Sequence, residues 1–172
     1  MTERVILVDT NDKQIGTEEK LRAHQLGLLH RAFSIFVFNT NGELLLQQRA
    51  HTKYHTGGLW TNTCCSHPSP GEELEAAVHR RLQDEMGFDC PVTEAFSFVY
   101  RTTFESDKLI EHEFDHVFIG VSDTKPVPNP AEVDAVAYRP VDVITTDIAK
   151  HPERYTFWFK QALDRVVKHT KQ

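Results

Sequence analysis

Glu111 and Glu113 stand two positions apart, either side of His112, in a strand expected over residues 109–121. In a strand, side chains two apart share a face, so both carboxylates point one way and His112 points the other. Like charges so close need a cation between them, or one must carry a proton. A second pair of charges interrupts an amphipathic helix expected over residues 73–86. At about 100° per residue, with Val78 centring the inward face, Leu74, Ala77 and Leu82 fall close by, and so do Arg81 and Glu85. The two could pair with each other at the rim, i to i+4. A carboxylate in mid-stripe is costly unless paired or on a metal, so the sharper expectation puts Glu85 on a cation and Arg81 on an anion. The adjacent thiols Cys64 and Cys65 must face opposite sides of an extended segment, and a buried cysteine is usually a small hydrophobe.

The elements that would position these groups are legible in part. Residues 5–8 (VILV) read as a short strand, and Thr17 with Glu18, Glu19 and Lys20 as the capped, acidic start of a helix. Residues 31–38 and 43–48 form a hairpin turning at Asn41-Gly42, where both residues tolerate a positive φ. Two prolines and a glycine enforce a loop over 66–71. The helix that follows ends at Gly87, a good C-cap. Strands fit 94–103, 109–121 and 135–139, a surface connection fits 125–130, and closing helices fit 141–150 and 153–168. The alternation implies an α/β (α+β) domain, a mixed sheet sandwiched between helices, with one domain spanning 1–172.

Composition narrows the function classes. A chain of 172 residues buries roughly 70% of its unfolded surface and holds a core without disulfides. With 40% hydrophobic and 26% charged residues it is neither disordered nor fibrous. A net charge of -6 argues against a nucleic-acid partner, which needs a basic face. No apolar run reaches the roughly 20 residues of a membrane span, and the opening MTERVILVDTNDK lacks the blocks of a signal peptide. Three cysteines, an odd number, read as thiols of a reducing compartment, so a cytoplasmic protein is expected.

Residues 66–88 carry a resemblance. The Nudix box, a loop and helix that binds metal and diphosphate, has the form G, five residues, E, seven residues, REUxEExGU, with U a bulky apolar residue. Glu72, Arg80, Leu82, Glu85, Gly87 and Phe88 stand at its spacings, whereas Ser66 replaces the first glycine, Arg81 an acid and Asp84 a glutamate. With WTNTCCSHP at 60–68, the EHE run at 111–113, and His24 and His30, the chain resembles the type 1 isopentenyl diphosphate isomerases, Nudix-fold enzymes of isoprenoid synthesis. The resemblance runs from about Val5 to the last helix.

That resemblance implies a single metal site built from His24, His30, His67, Glu111 and Glu113. Mixed nitrogen and oxygen donors suit Mn²⁺, Mg²⁺ or Zn²⁺. It implies an acid–base pair, Cys65 and Glu113, on opposite faces of a small apolar pocket, with Tyr100 assisting proton delivery near Glu113. Trp158 would cover with its π face the tertiary carbocation that the family reaction forms when the alkene of isopentenyl diphosphate is protonated on the way to dimethylallyl diphosphate, although by residue pattern alone it is a packing residue. Lys20, Arg49, Lys53 and Arg81 would hold the diphosphate of the small-molecule substrate. Glu85 and the backbone carbonyl of Cys65 would bind a second ion, Mg²⁺, bridging to that diphosphate. Cys64, Cys90 and Trp60 are expected to be structural, as are His51, His55, His79, His112, His116, His151 and His169, or else solvated. The chain is expected to be a monomer. Two rivals remain at this level: a Nudix hydrolase of a nucleoside diphosphate derivative, and a non-catalytic metal-binding scaffold.

Overall fold

The computed structural model describes residues 2–53 and 56–172; His55, expected to be structural or solvated, lies outside them. Among the described residues the chain forms nine strands and four α-helices in one mixed sheet with helices on both faces. The chain opens with β1 (Arg4–Val8) and β2 (Gln14–Glu19), an antiparallel pair, followed by α1 (Lys20–Leu26). Thr17 therefore does not cap a helix. It is paired with Ile6 in the ladder, its hydroxyl accepts from Arg4, and α1 begins after Glu19 without a side-chain cap. Pairing with β1 wins over local propensity, as tertiary context often does.

The hairpin expectation holds at its turn and fails along its arms. β3 (His30–Phe38) and β4 (Glu43–Arg49) share the single ladder pair Phe38 with Leu44. Gly42 takes a φ of 78°, and Asn39 Oδ1 accepts from the backbone nitrogens of Asn41 and Glu43. Beyond the turn β4 leaves to pair with β5 (Trp60–Thr61) and β9 (Val133–Pro140). One edge of β3 runs parallel to β8 (Ile110–Val121) from His30 opposite Glu113 to Phe38 opposite Val121. Its other edge is shared by Leu7, by β6 (Cys64–Ser66) and by Leu44. The short strands β2, β5 and β6 carry no alternating pattern long enough to be read from sequence. β7 (Val92–Thr103) completes the sheet beside β8.

Alternation along β3 feeds two cores. Phe33, Ile35 and Val37 pack under α2 (Leu74–Met86) with Ala77, Val78, Leu82 and Met86. Phe36 and Phe38 pack on the other face with Phe159, Leu163 and Val166 of α4 (Phe157–Thr170). Cys64 joins the first cluster and Cys65 the second, so the adjacent thiols do face opposite sides of the sheet. α3 (Val141–Lys150) has its expected bounds, but the last helix does not. A 3-10 turn at Pro152–Arg154 and an extended Tyr155 precede it. The Thr156 amide donates to Trp60 O, so Trp158 lies in the first turn of α4, above the sheet.

The C-terminus of α2 shows why Gly87 stands there. Its φ is 72°, and a Cβ would lie 2.3 Å from Val127 O. The chain folds back tightly because the amides of Val127 and Asn129 donate to Met86 O and Glu85 O, at 2.8 and 2.9 Å, satisfying end carbonyls of the helix. No helix among the described residues is long and apolar enough to cross a membrane.

Candidate active site

A cavity of about 360 Å³ opens beyond the end of β4 at Arg49 and beside β6 at Cys65. Its lining includes Cys65, Tyr100, Glu111, Glu113 and Trp158, together with Lys20, Arg49, Lys53, Arg81 and Glu85. Residues from Glu3 to Trp158 thus meet in one cleft.

At one end lies a cluster of imidazoles. His24, His30, His67 and Glu113 each offer a donor atom, and these four atoms lie within 4.8 Å of one another. His30 arrives because β3 pairs in parallel with β8 and sets it opposite Glu113. His24 arrives on α1, whose end is docked by His112: the Nδ1 of His112 lies 2.9 Å from Gly27 O. His24 Nδ1 is 2.6 Å from Lys20 O and His30 Nδ1 is 2.9 Å from Leu28 O. Each Nδ1 must be the donor to its carbonyl, so in each ring Nε2 is left to face the cluster. Glu111 stands outside the quartet but adjoins it, with Oε1 3.1 Å from His24 Nε2. Burial resists charge on His24, yet the hydrogen-bonded Glu111 carboxylate raises its pKa above the usual histidine value. His67 goes the other way: burial pulls it down to about 4 against the pull of Glu113, which keeps the imidazole neutral, the form that could ligate a metal. His30 Nε2 and His67 Nδ1 are buried with no hydrogen-bond partner, an arrangement that a divalent cation would satisfy at least at His30.

Glu113 joins this cluster to the middle of the cavity. Its Oε1 lies 3.1 Å from His67 Nε2, and its Oε2 accepts from the Tyr100 hydroxyl at 2.8 Å. Burial, reinforced by the Glu113 charge, pushes Tyr100 well above the ordinary tyrosine value, so the phenol keeps its proton. Cys65 comes from β6, on the opposite edge of β3 from β8, with its Cα paired to Ser34. Burial pushes the thiol up to about 12, with Arg49 acting against it. Trp158 is 5% exposed, and the Arg49 guanidinium sits 5.3 Å from its ring centroid. It is therefore both a packing residue and a wall of the cavity.

Arg81 Nη2 donates to Glu85 Oε1 at 2.7 Å. The two do pair, as the rim alternative supposed, but Glu85 is only 2% exposed, so a partly exposed guanidinium meets a buried carboxylate in the lining of the cavity. Lys20 pairs with Glu3 at 3.1 Å and Lys53 with Glu132. The box residues Glu72 and Arg80 form a two-pronged clamp at 2.7 and 2.8 Å, and Glu72 also accepts from the Ser69 amide. They brace the loop against α2 rather than enter the cluster.

A model of the NUDIX domain matches residues 28–159. Isopentenyl-diphosphate Delta-isomerase 2 of Aromatoleum aromaticum is 56% identical over 167 residues, covering 97% of this chain and 88% of that protein. The isopentenyl-diphosphate Delta-isomerase of Burkholderia multivorans is 54% identical over 165 residues, covering 96% of this chain and 93% of that protein. The chain belongs to the isopentenyl-diphosphate Delta-isomerase family, within the Nudix fold. Among solved structures, one from Deinococcus radiodurans superposes with a TM-score of 0.80 at 20% identity, covering 95% of this chain and 98% of that one. The MutT protein of Methanosarcina mazei Go1 gives 0.65 at 18% identity, covering 84% and 96%. At such identity these show the fold alone, so they lend nothing to the hydrolase alternative.

Within this isomerase-family fold, sequence reasoning overlooked residues that hold the others in place. Thr61, Asn62 and Thr63 are fully buried. Asn62 donates to Ile35 O and Cys64 O, and Thr63 Oγ1 donates to Leu45 O while accepting from the Val37 amide. These side chains stand in for ladder bonds across the gap between β3 and β4, which is why the segment before the cysteines is polar and yet internal. Asp115, on the same face as Glu113, is 1% exposed and accepts from Ser34 at 2.7 Å. Burial and the Glu113 charge raise its pKa well above the carboxylate range. Period-2 extension of the EHE run to position 115 would have found it. Of the histidines outside the cluster, His79 pairs with Asp89, His116 bridges Asp12 and Glu94, His51 meets Asp134, His151 lies by Glu153 and His169 stacks on Phe96.

Proposed function

We propose that the cavity interconverts isopentenyl diphosphate and dimethylallyl diphosphate, with Cys65 and Glu113 handling the two protons. The terminal alkene carbon takes a proton and leaves the positive charge on its tertiary neighbour. A proton then departs from the methylene on the other side, so one proton enters, one leaves, and the double bond has moved. Cys65 and Glu113 stand on strands at opposite edges of β3, one for each transfer. Tyr100 holds Glu113 by its 2.8 Å hydrogen bond and assists delivery to the alkene. The Trp158 ring offers a π face that stabilises positive charge without attacking it. Lys20, Arg49, Lys53 and Arg81 exchange their present carboxylate or aromatic partners for the diphosphate oxygens.

His24, His30, His67, Glu111 and Glu113 would hold Mn²⁺, Mg²⁺ or Zn²⁺, and Glu85 with the Cys65 carbonyl would hold Mg²⁺ against the diphosphate. Such ions supply fixed positive charge that orients the Glu113 carboxylate and neutralises the phosphate oxygens. The protein acts as a cytoplasmic monomer on this small molecule, with neither nucleic acid nor membrane as partner.

The observation that carries this reading is the chain of contacts from His67 through Glu113 to Tyr100 in the cavity that Cys65 also lines, at 3.1 and 2.8 Å. Incubation with isopentenyl diphosphate and Mg²⁺ in deuterated water tests it. Dimethylallyl diphosphate carrying solvent deuterium is expected. Release of phosphate or pyrophosphate, or no turnover with any divalent ion, would overturn it.

A further inference from the structure

The structure assigns a positioning role to Gln47 of β4. We infer that its amide holds the Glu85 carboxylate in the orientation that receives the diphosphate-bound cation; this rests on the proposed reading of Glu85. Gln47 is 2% exposed, and its Nε2 donates to Thr63 O at 2.8 Å and to Glu85 Oε2 at 2.9 Å. Both partners are acceptors, so the nitrogen end of the amide must face them, one N–H to each. The strand beneath it is held on both edges, because Gln47 pairs with Thr61 of β5 and Val136 of β9. Its side chain is therefore anchored in a part of β4 tied on both edges, in direct contact with α2.

Glu85 has other donors, and their chemistry separates them from Gln47. Arg81 donates to Oε1 at 2.7 Å, and the Cys64 thiol reaches Oε2 at 3.4 Å. A thiol is a weak donor. Arg81 is a full positive charge that a diphosphate draws upon, so its hold on Glu85 slackens when substrate arrives. Gln47 is neutral. It fixes a carboxylate oxygen without cancelling the negative charge that attracts a cation, and it has no reason to follow the anion. It also ties Glu85 to Thr63, two residues before Cys65, whose carbonyl is the companion ligand in the proposed site.

Outer partners of metal ligands commonly set affinity by about 10- to 100-fold. The test is equilibrium binding of manganese pyrophosphate, followed by electron paramagnetic resonance, to full-length protein whose histidine site has been filled with Zn²⁺. Wild type, Gln47→Met and Glu85→Gln are compared, with melting temperatures recorded in parallel. Gln47→Met keeps the length and volume of the side chain and removes both donors. About 10- to 100-fold weaker binding is expected, in the same direction as Glu85→Gln, together with a higher Mg²⁺ requirement for turnover. A Gln47→Met protein that melts lower yet binds within twofold of wild type, beside a weakened Glu85→Gln, would overturn the inference and leave the reading of Glu85 standing. Unchanged binding by Glu85→Gln would overturn both. If Gln47→Met does not fold, Gln47→Asn, which keeps the amide but withdraws it by one methylene, carries the same comparison, and wild-type binding there would again overturn the role.

Discussion

Cys64 and Cys65 are neighbours on opposite faces of one sheet, which makes their alanine substitutions a matched pair. Cys64 is 0% exposed in the core beneath α2, and its thiol touches Glu85 Oε2 at 3.4 Å. Removing one sulfur from a close-packed core resembles deleting one methyl group, about 0.5–1.5 kcal/mol. Glu85 Oε2 still accepts from Gln47, so no acceptor is orphaned and no larger penalty follows. For a domain of this size about 1 kcal/mol lowers the melting temperature by roughly 2–4 °C. Cys65→Ala costs no more stability than this, since its side chain is only half-buried against the cavity. Its loss removes a proton-transfer group worth about 10²- to 10⁴-fold in rate, roughly 3–5 kcal/mol of barrier. The pair should therefore separate in turnover and not in stability: each loses a few degrees at most, but Cys64→Ala keeps turnover whereas Cys65→Ala loses nearly all of it. The assay is deuterium incorporation into dimethylallyl diphosphate alongside calorimetry. A folded Cys64→Ala that slows as much as Cys65→Ala, or a Cys65→Ala with wild-type rate, would refute the assignment of faces to function.

Tyr100→Phe removes the donor to Glu113 Oε2, a buried bond to a charged group worth about 1.5–3 kcal/mol, and should lower kcat about 10- to 100-fold while also lowering the melting temperature by several degrees; steady-state kinetics and calorimetry check it. Glu113→Gln should lose nearly all turnover while remaining folded, which circular dichroism beside the same assay would establish. Gly87→Ala forces a side chain into the left-handed region at about 1–2 kcal/mol, and its Cβ would lie 2.3 Å from Val127 O, so denaturant titration should show a loss above 2 kcal/mol, roughly, from strain and displacement together. The Cys65 thiol, raised by burial from 9.0 to about 12, should resist iodoacetamide at pH 7–9. Because the folded protein binds this proton more tightly than the unfolded chain, its contribution to stability is complete below pH 9 and is lost as pH rises toward 12; a Cys65→Ala protein should lose less stability over that window.

What the sequence by itself determined is what depends on periods of 2 and 3.6. It separated Cys64 from Cys65 and aligned Glu111 with Glu113. It turned Arg81 and Glu85 inward on α2 and ended that helix at Gly87, because each of these follows from residues within a turn or two of one another. The identity of the chemistry was legible too, since WTNTCCSHP and the EHE run are too specific to belong to many families. Edge choice was not legible. The arms at 31–38 and 43–48 look like partners, but β3 gives one edge to β8 and shares the other, so β4 is released toward β9 and the buried side chain of Thr63 bridges the gap between them. That divergence sets His30 opposite Glu113, and it lets Gln47 reach Glu85 across 38 positions of chain. Which strand takes which edge is decided by the sum of long-range burial on both faces, a quantity no local pattern contains, and the cavity is its consequence.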